Sequence, residues 1–523
     1  MNSPFKRLAQ KPIHLLIAIN LLAGLFIFRD YGLSWDEPYF YKYADALGYA
    51  YAPREWFSGN FDLENSYGPS GTDHKTRGPA YLLLAREPVY LLERLGSDKA
   101  SAWHLVNFLF IQLGVYFLYR VSTRWVKPSA ALAASALFAW QPLLWGHAFI
   151  NPKDPSFLTF FLGSVCLGFE MVDRWTDESP SNKQKYTTII LPAIILGITT
   201  SIRILGPLAG LLVGIYALWR FGRRSTTIIP SFISYAVIAI LVMFVTWPYL
   251  WQSPVNNFIE VLRFMSDNPT ELPVLFHGEM YPAGAVPRSY LPFMLLTTLT
   301  EPVWILFLGG FVIGIVKLTK QKNTNGLVSL SLTLSWTILL IAYGLLRRPA
   351  MYDGFRHFMF IVPPVFIVTG FVFEFLFEKT ASGWLRVPLV FLLLLPGFVG
   401  IGQLHPYEYA YYNSFVGGTN NVFRQYETEY WLTCYKEAVE NLNQQESKPA
   451  NLYVHREAYI AASYTNSNIN VHELRGALNN VRSGDYVLVS SRSNEDRKIF
   501  KDAPVIIQVT RGKAAFCAVK QIP

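Results

Sequence analysis

Two carboxylates stand side by side at Asp36 and Glu37, within Gly32-Leu33-Ser34-Trp35-Asp36-Glu37-Pro38, a few residues beyond the end of an apolar run. A carboxyl group at the edge of hydrocarbon loses part of its solvation, which lifts its pKa toward the range of a general base. The plainer reading is an acidic cap on the next helix, favoured by that helix's positive N-terminus. Spacing alone leaves the two readings even. A second turn, Asn151-Pro152-Lys153-Asp154-Pro155, sets a base and an acid between prolines, although tight turns between helices draw on the same residue types. Arg203 interrupts an apolar stretch before Gly206-Pro207. A charge at membrane depth is costly, which points to function more than to a side chain snorkelling to the interface. Arg347, Arg348, Arg356 and His357 crowd one further loop. Guanidinium forks suit phosphate, either a lipid headgroup or a bound substrate. His277 and Glu279 lie among Pro and Gly, either lining an acceptor groove or simply ordering a surface loop.

The elements that carry these residues are apolar. Of 523 residues, 52% are hydrophobic and 15% charged, against roughly 25% charged in soluble chains. Disorder is excluded by that content, and three cysteines exclude a disulfide-stapled scaffold. Apolar runs near 12–28, 102–119, 129–149, 156–172, 187–202, 206–219, 227–247, 303–316, 327–346, 358–377 and 387–403 predict about eleven membrane helices. The first follows Lys6, Arg7 and Lys11 and lacks a small-residue cleavage site, so it reads as a retained helix. Basic residues gather in alternate loops: Arg120/Arg124/Lys127, Arg174/Lys183/Lys185, Arg220/Arg223/Arg224, Lys317/Lys320/Lys322 and Lys379/Arg386. These share the side of the N-terminus, which is therefore expected in the cytoplasm. The acidic pair, the Asn151–Pro155 turn, Arg203 and the 347–357 loop all fall on the opposite side. The net charge of +9 sits at the ends of apolar runs, which argues for a membrane and against nucleic acid.

Residues 1–403 thus form the membrane domain, with a large first outer loop at 29–101. From His405 the chain turns polar, and 404–523 read as a small extracytoplasmic α/β domain. A helix is predicted over Tyr430–Leu442, with strands at Asn451–His455, Tyr486–Ser490, Val505–Thr510 and Ala514–Val519. Cys434 and Cys517 both fall there, and a disulfide and two free thiols remain open alternatives. No Walker A or Rossmann glycine pattern occurs. A divalent metal could be drawn from Asp36, Glu37, Asp154 and nearby histidines, but no HxxxH, CxxC or EF-hand spacing supports one. Neither a metal site nor a required cofactor is therefore expected.

An acidic pair just after helix one, a large first loop and many helices resemble the polytopic C-type glycosyltransferases. More narrowly, the chain looks like bacterial relatives of the protein O-mannosyltransferases, glycosyltransferase family 39, and their lipid A aminoarabinose-transferring cousins. The resemblance covers roughly 12–403 and rests on Trp35-Asp36-Glu37, the Asn151–Pro155 turn and Tyr352-Asp353-Gly354-Phe355-Arg356-His357. The tail stretch Tyr409–Tyr435 is similar to tails of bacterial members. The resemblance implies an inner-membrane enzyme working on its outer face with a polyprenyl-phosphate sugar as donor. The acceptor would be a glycan, a lipid or a protein, and the transfer inverting. It further implies Asp36 as catalytic carboxylate with Glu37 as partner, Asp154 beside Lys153 as a second acidic motif, and Arg203, Arg356 and His357 as donor-phosphate ligands. The rival from another class is a secondary transporter or flippase of a lipid-linked or anionic substrate. That rival calls for repeat symmetry and broken helices at mid-membrane, whereas these charges gather at one face.

Overall fold

The computed structural model describes residues 12–69, 74–177, 182–266, 270–380 and 382–523. Lys6, Arg7 and Lys11, and the side chains of Lys183 and Lys185, lie outside what is described.

The chain enters through α1 (Pro12–Ile27), turns at Gly32–Asp36 and continues as α2 (Glu37–Ala50) and α3 (Ala80–Arg94). A series of apolar helices follows: α4 (Lys99–Ser122), α5 (Pro128–Ala139), α6 (Pro142–Ile150), α7 (Asp154–Asp177), α8 (Asn182–Ile202), α9 (Pro207–Phe221) and α10 (Ile229–Val245). Next come α11 (Pro254–Ser266), a two-stranded hairpin of β1 (Pro273–Phe276) and β2 (Glu279–Pro282), and α12 (Tyr290–Thr298). The helical part closes with α13 (Glu301–Lys320), α14 (Thr324–Arg347), α15 (Pro363–Lys379) and α16 (Arg386–Leu404).

Among the described residues, six helical stretches are long and apolar enough to cross a membrane: α4, α7, Pro207–Val245 (which takes in α9 and α10), α13, α14 and Gly383–Leu404. Shorter apolar helices stand at Pro12–Ile27, Pro128–Ala139 and Thr187–Ile202. Burial separates centre from rim. The membrane-length window of α7 is 94% buried, whereas that of Pro207–Val245 is 22% buried. α7 is therefore the hub, packed against α4, α8 and α9. The outer helices leave Leu211, Leu218, Ile233, Leu241, Phe391 and Leu392 exposed, a belt of the kind hydrocarbon covers.

One expected span is divided. The run 129–149 breaks at Trp140-Gln141 into α5 and α6, because Pro142 lacks an N–H and disfavours helical backbone in the residue before it. Gln141 makes good the freed groups: its amide donates to Leu137 O (2.8 Å) and its carbonyl accepts from Thr300 N (2.9 Å). The run 358–377 likewise opens as a 3-10 turn (Arg356–Ile361) ahead of Pro363-Pro364.

In the tail, α17 (Tyr435–Gln445) precedes a five-stranded sheet of β3 (Ala450–Val454), β4 (Ile469–Glu473), β5 (Tyr486–Ser490), β6 (Val505–Arg511) and β7 (Ala514–Gln521), in the order β4-β3-β5-β7-β6. β3 runs parallel to β4 and β5, and β7 antiparallel to β5 and β6. α17 starts five residues later than Tyr430 because Tyr430–Cys434 form a turn with Leu432 at φ 63°. The sequence reading missed β4, an edge strand whose side chains alternate with Asn470 and His472. Cys434 and Cys517 are buried free thiols. One hydrophobic core runs without a break from Ile13 in α1 to Val519 in β7. The tail is thus packed onto the helices rather than hung from them.

Candidate active site

Asp36 and Glu37 part company. Glu37 turns inward with no exposed side-chain surface and accepts from Ser34 N (2.6 Å) and Tyr41 Oη (2.6 Å), with His104 Nε2 at 3.1 Å. It stands in the first turn of α2, at that helix's positive end, but binds the loop before the helix rather than a helix amide, and it does not line the cavity described below. Asp36 makes no cap hydrogen bond and keeps 28% of its side chain exposed. Ser34 Oγ donates to Ile150 O (2.9 Å), tying this loop to the end of α6 beside the second acidic turn.

In that second turn Asn151 Oδ1 accepts from the amides of Lys153 and Asp154 (3.1 Å each), and Asn151 Nδ2 donates to Asp154 Oδ2 (2.8 Å). Asp154, the first residue of the hub helix α7, is 2% exposed and pairs with Arg203 from the end of α8. Two glycines permit this crowding. A Cβ on Gly206 would stand 2.5 Å from the Thr200 backbone, and one on Gly78 would stand 1.3 Å from Ser201 O. Only glycine lets the 74–79 segment lie against the end of α8, and that brings Arg77 to the site.

Arg356 joins the pieces. Its guanidinium lies 3.0 Å from Asp353, 3.5 Å from Asp154 and 3.7 Å from Asp36, and it stacks on Trp431 (4.6 Å) and Tyr352 (5.1 Å). Asp353, fully buried at φ 56°, is held from its other side by Arg492 of the tail at 2.8 Å. A cavity of about 480 Å³ opens over Asp36 and Arg356, with Trp35, Arg77, Leu272 and Tyr352 in its walls.

The site is rich in cations. Burial, with Arg77, Arg203 and Arg356 nearby, pushes the Lys153 ammonium well below the usual lysine range. Burial and then Arg356, Arg203, Lys153 and Arg77 hold His357 well below the usual histidine range. His357 is therefore a neutral ring, packed edge-on to Tyr352 at 4.8 Å. An anion would relieve both groups.

Of the residues singled out from sequence, Asp36, Lys153, Asp154, Arg203, Arg356 and His357 come together, while Glu37 is buried beside them. His277 and Glu279 do not join them. They occupy the exposed tip of the β1–β2 hairpin, where His277 Nδ1 meets Tyr426 Oη at 2.6 Å, and the cavity takes Thr270–Pro273 from that loop instead. Sequence reasoning missed Arg77 and Arg492. For Arg77 a signal existed, since His74-Lys75-Thr76-Arg77 places positive charge on the outer side, as the 347–357 loop does. Among the described residues, no group of three or more His, Cys, Asp or Glu is placed to hold a metal ion. Asp36 and Asp154 both approach the Arg356 guanidinium.

No family model matches the chain, and no curated protein matches its sequence. Solved structures do. ArnT from Cupriavidus metallidurans in the apo state superposes with a TM-score of 0.50 at 14% identity, over 96% of this chain and 97% of that one. The apo oligosaccharyltransferase of Archaeoglobus fulgidus does so at 0.50 and 10% identity, over 93% of this chain and 70% of that one. The fold is that of the C-type glycosyltransferases. At these identities the shared property is the path of the chain.

Proposed function

We propose that this chain is a membrane glycosyltransferase that moves a sugar from a polyprenyl phosphate to an acceptor in the cavity above Asp36. The observation that carries the reading is the pairing of a part-exposed carboxylate, Asp36, with Arg356 and Arg77 in one cavity of about 480 Å³. The C-type fold and the exposed apolar belt support the class and a lipid-borne donor.

In this reading Asp36 accepts the proton of the acceptor hydroxyl or amine as that atom bonds to the anomeric carbon. The bond from that carbon to the phosphate oxygen breaks, its electron pair leaves with the polyprenyl phosphate, and the configuration inverts. Arg356, and Arg203 behind it, stabilise the charge that grows on the phosphate. A phosphate that draws Arg356 toward itself loosens its pairing with Asp36, freeing that carboxylate to act. Arg77 adds positive charge to the same place, and an arriving phosphate favours the charged form of Lys153 beside it. No step needs a metal, and the donor's lipid tail lies in the apolar belt on the outer face of the inner membrane.

The test is Asp36→Asn in full-length protein reconstituted in nanodiscs. Transfer should fall by about 10²–10⁴-fold, the usual worth of a general base, while undecaprenyl phosphate still binds. Wild-type turnover by Asp36→Asn sinks the reading.

A further inference from the structure

The tail grips the loop that carries Asp36 at four points. Leu33 N donates to Tyr464 Oη (2.8 Å), and Trp35 N donates to Trp431 O (3.1 Å). Tyr459 Oη donates to Trp35 O (2.7 Å), and the Arg492 guanidinium lies over the Trp35 ring at 4.9 Å. Three of these contacts fall on Trp35, the residue next to Asp36. None of the four partners belongs to the helical part of the chain, so residues 431–492 hold the backbone around Asp36 from the tail side, opposite the tie that Ser34 makes to Ile150.

Arg492 also acts on the opposite wall of the site. Its side chain is 4% exposed, donates to Tyr430 O (2.7 Å) and pairs with Asp353 (2.8 Å). Asp353 in turn pairs with Arg356 (3.0 Å). Arg492 is itself anchored. Ser493 and Asn494, which follow it, hold positive φ (54° and 57°), and Arg424 ties the segment down with hydrogen bonds to Asn494 (3.1 Å) and Asp496 (2.5 Å). Positive φ in successive non-glycine residues persists only where surrounding contacts enforce it. Two neighbours of the cavity, Trp35 on one side and Asp353 on the other, thus rest on a single side chain.

We propose that Arg492 is a positioning residue and that the tail, through Arg492 and Tyr459, sets the separation of Asp36 and Arg356. Removing the Arg492 charge leaves Asp353 with Arg356 as its remaining cation. Arg356 then leans toward Asp353, away from Asp36 and from any anion in the cavity. Arginine is required because one planar fork meets a carbonyl and a carboxylate while its face covers an indole, and a lysine offers neither fork nor face.

The experiment uses full-length protein in nanodiscs and the variants Arg492→Ala, Arg492→Lys and Tyr459→Phe. None of them removes the partner of the Trp35 amide. Hydrogen exchange at that amide should nevertheless rise about tenfold or more in Arg492→Ala and Tyr459→Phe, while strands 486–490 and 514–521 keep their wild-type protection. Undecaprenyl phosphate should bind Arg492→Ala about tenfold more weakly than wild type, with Arg492→Lys between them. This second arm rests on the proposed function. Wild-type exchange at Trp35 in the folded variants overturns the inference, as does unchanged affinity of Arg492→Ala where wild type binds. Should Arg492→Ala fail to fold, Tyr459→Phe, which loses a single hydroxyl, decides the exchange arm. A wild-type protein with no affinity for undecaprenyl phosphate would instead count against the donor assignment, leaving the exchange result to stand.

Discussion

Arg356 lies 3.7 Å from the Asp36 carboxylate, near enough for an ion pair and too far for a hydrogen bond. The same guanidinium approaches Asp353 to 3.0 Å, a far closer pairing. The difference matters for chemistry, because a cation bound firmly to one carboxylate and loosely to another can release the second when an anion arrives. Asp36 is the loose partner.

Truncating Arg356 should therefore harm the fold as well as the chemistry. Arg356→Ala leaves Asp154 and Asp353 with one cation fewer in a buried setting, where breaking such a pairing costs about 3–5 kcal/mol. Melting followed by tryptophan fluorescence should show a clear drop. Arg356→Lys should fall between the two, since lysine keeps the charge but loses the fork and the stacking on Trp431. A double change, Arg356→Ala with Asp154→Asn, should recover part of the loss, and equal melting of single and double variants would show that Asp154 does not feel this cation.

Glu37 and Asp36 should give opposite phenotypes. In Glu37→Gln one end still accepts, but the new NH₂ must face either the Ser34 amide or the Tyr41 hydroxyl and the His104 ring, so at least one of these loses its acceptor. Stability should fall by about 1–3 kcal/mol, the usual cost of an unsatisfied buried group, with turnover reduced far less than in Asp36→Asn. A Glu37→Gln protein that melts normally but has lost turnover would return Glu37 to the chemistry.

Two buried carboxyls should each make the fold less stable as pH rises through neutrality, against His357 and Lys153, whose lowered ranges act in the opposite sense. Burial pushes the Glu429 carboxyl up to about 7, against hydrogen bonds from Tyr409 and from the Leu432 and Trp431 amides that pull it down. Burial, followed by the nearby Asp353, raises Glu427 in the same direction. A folded pKa above the unfolded value favours the fold while the group is protonated. That stabilisation is complete below about 4.5 and is lost as pH climbs through about 7, on the order of 3 kcal/mol for Glu429. Compared with wild type, Glu429→Gln should gain thermal stability at about pH 8 relative to about pH 5, the share of the slope that Glu429 contributes, while Glu427 keeps its own. A slope identical to wild type would mean that Glu429 is ionised throughout.

What the sequence disclosed and what it withheld follow from the range of the interactions. A charged residue beside or within an apolar run is a local pattern, so Asp36, Asp154 and Arg203 stood out. The break before Pro142 was local too, yet the apolar character of 129–149 masked it. Which of Asp36 and Glu37 turns inward depends on His104 and Tyr41, and His104 reaches the pair only through packing. Arg492 is a still longer-range case. Ser490-Ser491-Arg492-Ser493-Asn494 reads as an ordinary polar turn, and only the docking of the tail carries its guanidinium over Trp35. β4 was hidden for another reason, since an edge strand with Asn470 and His472 on its open face lacks the apolar content that marks β3 and β5.

Arg203 allows a separation of binding from charge balance. It pairs with Asp154, which is almost wholly buried, so Arg203→Ala both removes a cation from the site and strips a carboxylate of a partner. If Arg203 serves the donor phosphate, the single variant should raise the donor KM about tenfold or more while leaving the acceptor KM unchanged. Adding Asp154→Asn removes the orphaned charge. The double variant should then regain thermal stability but not donor affinity, because a neutral asparagine cannot replace a guanidinium that the phosphate itself requires. Recovery of both would make Arg203 merely the counter-ion of Asp154 and shift the phosphate contact to Arg356 and Arg77, the cations that line the cavity directly.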